Sequence, residues 1–307
     1  MFKNHLSHHL GPSVKTMPET TVNERNKLNS PVDAFTKLFF LFGDPIDHVR
    51  APIVWSALMK RYDINSVLLP AHVNSTHLKS AIEGCKALEN TAGLMFTMPH
   101  KVAAIKQADS LTERARLVNS INLMRKNADG TWTGDNVDGA GFIAGLKADG
   151  VNLNGIDAYV HGCGGVGECI AWSLALENIA SLTVFDINHK RATELALKIA
   201  NHTGKKALAS SAVQASPASL DLMVNASPLG LHEIDALPFA LEAAKQSATI
   251  ADVIMEPMIT RLLKTAAQQG LKIHHGRNMM NFAMPLAAEF YGLPTTVDWN
   301  GGPLQNS

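Results

Sequence analysis

Cysteine is scarce: Cys85, Cys163 and Cys169 are the only three in 307 residues, and their spacing makes neither a disulfide framework nor a zinc site. That scarcity points to a reducing, cytoplasmic setting. Long apolar runs are missing too. The best candidate, residues 38–42, is strand-sized, far short of the ~18 residues that a membrane span needs. Neither charge is in excess, with 27 Lys+Arg against 27 Asp+Glu, so no global field draws nucleic acid or an anionic membrane. Charged residues at 18% beside 46% hydrophobic ones exclude a disordered or fibrous chain. Repeats and low-complexity tracts are absent. A small molecule is therefore the expected partner, with no nucleic acid, no membrane and a monomer or homodimer as the assembly. His48, His100, His161, His232, His274 and His275 form no pair at helical i, i+4 spacing with a supporting acid, so no metal is expected.

The length exceeds what one core usually serves, so two domains are expected. Residues 1–35 show no periodicity and read as a disordered tail. The apolar strand 37–42 runs into Gly43-Asp44-Pro45-Ile46-Asp47-His48, and Pro52 opens a helix carrying Ile53, Val54, Ala57, Leu58 and Tyr62. Strands at 67–69 and 92–97 flank a helix at 76–87, and this alternation implies a parallel sheet. Gly134 to Gly141 reads as punctuation, after which a bridging helix starts at Phe142. Further on, strands at 157–161, 182–185, 220–224 and 249–254 alternate with helices at 191–200 and 260–269, and a last helix covers 279–291. The fold class is α/β, divided as 36–140, 141–278 and a closing segment 279–300.

Gly162, Gly164 and Gly167 satisfy G-x-G-x-x-G between the strand at 158–160 and the helix at 168–176. The first glycine permits a tight turn, the second admits backbone amides to a pyrophosphate, and the third allows close helix packing. Together with Gly165 and Val166 they form the candidate dinucleotide loop at a helix N-terminus. The competing reading is a tight strand-to-helix turn without ligand. Asp186 follows Gly167 by nineteen positions, where an acid would bind both ribose hydroxyls and repel a 2′-phosphate, so NAD is expected over NADP. Lys190 and Arg191 downstream restore some tolerance of the phosphate, and an aspartate there also serves as a plain turn or cap residue.

The ordered set Gly43 to His48 with Pro52, Thr97-Met98-Pro99-His100-Lys101, Asn122, Gly134 to Gly139, Gly162 to Gly167, Asn225 to Gly230, and Gly276 to Tyr291 resembles the shikimate dehydrogenases, including their quinate-using branch. The resemblance implies an N-terminal substrate domain, a Rossmann domain, a cleft between them and a final helix packing back on the first domain. It further implies that Lys101 and Asp138 are the catalytic pair, which composition and spacing alone do not bring together. Asn122 and Thr97 are then substrate-binding residues, and Asn225, Ser227 and Gly276 border the cofactor. Outside the resemblance, Asn122, Thr97 and the Asn225 segment are ordinary loop residues.

The chain also departs from that family's pattern. Two serines that hold the substrate carboxylate are replaced by Val49 and Ala51, and each lost hydroxyl removes a charge-assisted bond of about 1.5–3 kcal/mol. Met95, Met255 and Ala283 stand where asparagine, tyrosine and glutamine are usual, so the pocket becomes less polar. Arg50, between the two lost serines, either grips a carboxylate bidentately or is a solvated charge at a helix start. The expected activity is NAD(P)-dependent hydride transfer at a ring hydroxyl of a shikimate- or quinate-type hydroxy acid. Alternatives are plain NADP-dependent shikimate dehydrogenase of aromatic amino-acid biosynthesis, quinate dehydrogenase, and a non-catalytic ligand-sensing regulator, against which the retained Lys101 and Asp138 weigh.

Overall fold

The structure, a computed structural model, describes residues 32–47, 49–212 and 219–294. The tail expected at 1–35 lies outside the described residues up to position 31, as does the chain from 295 onward.

The first half runs β1 (Lys37–Gly43), α1 (Ala51–Arg61), β2 (Ser66–His72), α2 (Leu78–Lys86) and β3 (Thr91–Phe96), then a 3-10 turn (Ala103–Gln107). It continues with β4 (Ser110–Leu111), α3 (Glu113–Leu117), β5 (Leu123–Lys126) and β6 (Trp132–Asp135). The apolar run of β1 reflects burial on both sides. Phe39 and Leu41 face one cluster with Trp55 of α1, while Phe42 joins Ile82 of α2 on the other.

The sheet order is β2-β1-β3-β5-β6-β4. Parallel pairing holds for β1 with β2 and β3, whereas β5 is antiparallel to both β3 and β6. The three strands expected to be parallel are parallel, and β5, which the sequence reading did not find, adds an antiparallel strand to the sheet. Its pairing with β6 comes from the turn at Asn127 to Gly130, where Gly130 takes φ +83° and reverses the chain between two strands of four residues each. Strands so short leave almost no periodicity to read.

After α4 (Asp138–Ala148) come β7 (Asp157–His161), α5 (Gly165–Leu176), β8 (Ser181–Phe185), α6 (His189–Thr203), β9 (Lys206–Ala209), β10 (Leu222–Asn225), β11 (Thr249–Asp252), α7 (Arg261–Gln268), β12 (Lys272–His274) and α8 (Gly276–Phe290). Here every strand pair is parallel, in the order β12-β11-β10-β7-β8-β9. Strand order reverses between β7 and β10, and in such sheets the crevice beyond the carboxyl ends at that reversal is where ligands bind.

The helix expected to start at Phe142 begins four residues earlier, at Asp138, and so includes Gly139 and Gly141. Glycine inside a helix costs ~1 kcal/mol, but here close packing outweighs it. A Cβ on Gly139 would fall 2.3 Å from the Cys169 carbonyl oxygen of α5, and one on Gly141 would fall 2.6 Å from the Met279 carbonyl oxygen of α8. Helix α4 is a wedge between the other two. From there α8 crosses to the first sheet, where Ala283, Met284, Ala287 and Phe290 join the cluster of Phe39 and Trp55. Tyr291 Oη donates to the Leu94 carbonyl at 2.8 Å, and Arg125 Nη1 to that of Phe290 at 2.8 Å.

Gly139→Ala should lower the unfolding free energy by about 1–3 kcal/mol through overpacking. Gly84→Ala, in α2 with nothing within 4 Å of the added methyl, should raise it by about 0.5–1 kcal/mol. Urea melts of the two variants decide the matter, and a Gly139→Ala midpoint equal to wild type would sink the wedge.

Candidate active site

Strands β1 and β3 end side by side. The Thr97 amide donates to the Phe42 carbonyl at 2.9 Å, and a side chain on Gly43 would collide with Thr97 Cγ2 at 2.5 Å. The Thr97 hydroxyl has no partner among the described residues and is half-buried. Beyond it the chain turns through Met98 and Pro99, and fully buried His100 anchors the turn with Nε2 2.6 Å from the Val73 carbonyl oxygen. Anchored there, the next residue, Lys101, can project without dragging the loop.

Lys101 Nζ lies 2.6 Å from Asp138 Oδ2, with 22% and 14% of the two side chains exposed. Asp138 is the first residue of α4. Asn122, entering β5, donates from Nδ2 to Asp138 Oδ1 at 2.8 Å, and its Oδ1 accepts the Val137 amide at 3.0 Å. Its side chain therefore orients the carboxylate and leaves one N–H for a further acceptor. Burial, the largest influence on Lys101, pulls its pKa down, but the charge of Asp138 and the hydrogen bond to it outweigh that, and the net displacement is upward.

The residues before Asp138 fix the strand end from which it springs, and sequence reasoning did not single them out. Asp135 is fully buried, accepts from Thr112 Oγ1 at 2.5 Å and from Arg114 Nε at 2.7 Å, and is bridged a second time by Arg114 Nη2. Asn136 Nδ2 donates to Ser120 Oγ at 2.9 Å. The spacing of acids in Gly134 to Asp138 hints that each has a separate task, but nothing local identifies Arg114 as a partner.

The glycine-rich loop sits at the sheet's reversal. Gly162 takes φ +103°, and a side chain there would meet the Ala226 carbonyl oxygen at 2.7 Å, so β7 and β10 can carry only glycine at this crossing. Helix α5 starts at Gly165 with Gly164 before it and no side-chain cap, and space around both is open. The amides of Gly165, Val166 and Gly167 precede the first helical hydrogen bond, which Glu168 makes to Gly164. Uncapped amides, open space and a helix dipole fit a pyrophosphate.

Asp186 closes β8, with Oδ2 accepting the Cys163 amide at 2.8 Å and Oδ1 that of Asn188 at 2.8 Å, and Arg191 Nη1 lies 3.5 Å away. The helix cap is Asn188, not Asp186. Ile187 beside it is 96% exposed.

The side chain of Asn225 is fully buried and braces its own loop. It donates to the Leu229 carbonyl at 2.9 Å and accepts from Ser227 Oγ at 2.7 Å, shaping the loop that carries half-buried Ser227. Gly276 is likewise buried, and a Cβ there would lie 2.3 Å from the Val253 carbonyl oxygen, so it admits α8 to the end of β11.

Val49 and Ala51 are half-buried against the apolar cluster that contains Met95, Leu123, Val137 and Ala283. Two of these, Leu123 and Val137, are chain neighbours of Asn122 and Asp138. Arg50 caps α1 without a side-chain bond, and its buried Nε has no partner among the described residues.

The two halves of the site touch through α4 and α5. Cys169, one turn or about 6 Å along α5 from the glycine loop, backs onto Gly139 and lies within electrostatic reach of Asp138 and Lys101. Burial and then the Asp138 charge push its thiol up to about 12, so it stays protonated and is no nucleophile.

Residues 41–124 match the family model for the shikimate dehydrogenase substrate binding domain. Shikimate dehydrogenase (NADP(+)) of Desulforamulus reducens is 30% identical over 275 residues, 87% of this chain and 94% of that protein. Among solved structures, ligand-free 5-ketofructose reductase of Gluconobacter sp. strain CHM43 superposes with TM-score 0.80 at 28% identity, covering 86% of this chain and 95% of that one. Shikimate 5-dehydrogenase of Listeria monocytogenes in complex with shikimate and NAD gives 0.79 at 26% identity, covering 88% and 97%. The chain belongs to the shikimate dehydrogenase family, whose members among these relatives are oxidoreductases acting on CH–OH groups.

Arg114→Ala should destabilise the protein by about 3–5 kcal/mol, because it strands the buried Asp135 charge. Chemical denaturation checks this, and a loss under about 1 kcal/mol would show that Thr112 and backbone amides suffice.

Proposed function

We propose that the protein is an NAD(P)-dependent oxidoreductase that interconverts a secondary alcohol and its ketone, with Lys101 and Asp138 as its proton-handling pair. The observation that carries this reading is the 2.6 Å ion pair standing against the helix that begins at the dinucleotide loop. The bound nicotinamide would accept or supply the hydride. In the direction of reduction, the carbonyl oxygen gains negative charge as hydride reaches its carbon, and the Lys101 ammonium delivers a proton to it. In the direction of oxidation the lysine must first release a proton to solvent, after which its amine takes the proton of the hydroxyl. Asp138 offsets the cost of desolvating the ammonium, and Asn122 holds the carboxylate toward it. Thr97 offers its free hydroxyl to a substrate oxygen. The ring hydroxyl of a shikimate- or quinate-type hydroxy acid has the chemistry such a pair requires.

On the cofactor side, Gly162, Gly164, Gly165, Val166 and Gly167 would take the pyrophosphate, and Ser227 the neighbourhood of the nicotinamide. Asp186 favours NAD, since a carboxylate at the end of β8 would repel a 2′-phosphate brought beside it. Ile187, exposed next to it, offers an apolar face for the adenine and no charge for a phosphate. The three free cysteines suit the reducing cytoplasmic setting. Whatever hold the site has on a substrate carboxylate falls to Arg50, beside Val49 and Ala51.

Lys101→Met should reduce kcat by about 10²–10⁴ while NADH binding, followed by fluorescence, keeps its Kd. A variant with kcat within twofold of wild type would end the assignment. Because the lysine's pKa is raised above 10.5, ketone reduction by wild type should not lose its proton donor anywhere from neutral pH up to that value; loss comes only as pH climbs past the raised pKa. A kcat profile falling on an ionisation near 8 that vanishes in Lys101→Arg would contradict the sign of the shift.

Ile187→Arg should move the NADPH/NADH ratio of kcat/KM toward NADPH by about tenfold, the scale of one charge-assisted phosphate contact. An unmoved ratio would place the adenosine end elsewhere.

A further inference from the structure

We infer that Asp252 is a positioning residue for the dinucleotide seat, setting through Asn225 where the loop 225–230 presses on the glycine loop, an inference that rests on the cofactor half of the reading above. Asp252 ends β11 and is fully buried, in register with Asn225 at the end of β10, which is itself in register with His161 just before Gly162. Its carboxylate has partners from three different segments. Oδ1 accepts from Asn225 Nδ2 at 3.2 Å and from the Ile254 amide at 3.0 Å, and Oδ2 accepts from the Thr260 hydroxyl at 2.8 Å. Thr260 in turn caps α7, its Oγ1 accepting the Leu263 amide at 3.3 Å.

Both ends of the loop 225–230 rest on groups that this carboxylate binds. At the near end Asn225 leads into Ala226 and Ser227, against which the glycine loop is packed: a Cβ on Gly162 would lie 2.7 Å from the Ala226 carbonyl oxygen and 3.0 Å from the Ser227 nitrogen, and one on Gly167 would lie 3.2 Å from Ala226 Cβ. At the far end, a Cβ on Gly230 would lie 3.4 Å from Ile254 Cδ1 and 3.6 Å from Thr260 Cβ. Packing this close transmits a displacement and does not absorb it. Slack at Asp252 therefore reaches the turn whose uncapped amides face the pyrophosphate. Burial pushes the Asp252 carboxyl up to about 6, outweighing the hydrogen bonds that favour its charge. An acid kept where its charge is penalised, at the ligand-binding end of the sheet, is better explained by what it holds in place than by stability it adds.

The test is fluorescence titration with NADH and NADPH, beside steady-state kinetics, on wild type, Asp252→Ala, Asp252→Asn, Asn225→Ala and the Asp252→Ala/Asn225→Ala double variant, each checked for a cooperative urea melt. Asp252→Ala should raise the Kd of the preferred nucleotide about tenfold, the scale on which a misplaced seat costs a ligand, while KM for the alcohol stays within about twofold. Asp252→Asn, which keeps an acceptor for Asn225 and for the Ile254 amide, should recover most of that loss. The double variant should bind no worse than the weaker single one, because both substitutions break the same link. A folded Asp252→Ala with wild-type nucleotide affinity overturns the inference, and so does a loss shared equally by nucleotide and alcohol, the mark of a merely structural role. Should Asp252→Ala not fold, Asn225→Ala decides by the same two readings. Wild type that binds neither nucleotide would instead remove the cofactor reading and this inference with it.

Discussion

Everything at the reaction centre depends on where α4 begins. Its first residue carries the carboxylate, and its first turn is lodged between two helices that belong to different parts of the molecule: α5, rising from the dinucleotide loop, and α8, which returns to the first sheet. Gly139 and Gly141 let both approach within distances that a methyl group would forbid. Close-packed interiors transmit position stiffly, so the cofactor helix, the closing helix and Asp138 are held in one frame. Lys101 comes from the opposite side, on a turn fixed by buried His100.

The ion pair itself is a balance of opposed effects. Withdrawing an ammonium from water is unfavourable, and the adjacent carboxylate more than compensates, which is why the lysine is held charged and not neutral. Such a group is a ready proton donor for an oxygen developing negative charge, and becomes a base only after giving up a proton of its own. The buried ion pair of Asp135 with Arg114, three residues upstream, has a different character: it is saturated by four hydrogen bonds and offers nothing to a substrate.

Legibility in the sequence followed the range of the interaction. The dinucleotide loop was readable because the demand is local: φ +103° at Gly162 and uncapped amides from Gly165 leave their mark within six consecutive residues. Most strands and helices were readable through their apolar periods. Lys101 and Asp138 stand 37 residues apart, and no period or spacing links them; only the resemblance did. The start of α4 was misread because glycine usually ends helices, and here it admits neighbours that only the tertiary fold supplies. At Asn225 the fold adds what the sequence does not show, a side chain buried among the polar groups of its own loop. A polar residue after a strand can face a ligand or brace its own loop, and only its burial tells which.

The two sides of the cleft are built by different means, and this bears on what each can recognise. Toward the dinucleotide the chain presents backbone, amides and open glycines, a surface that depends little on which side chains surround it. Around Lys101 and Asp138 it presents side chains instead: Asn122 bonds the carboxylate, while Leu123 and Val137, next to Asn122 and Asp138 in the chain, belong to the apolar cluster.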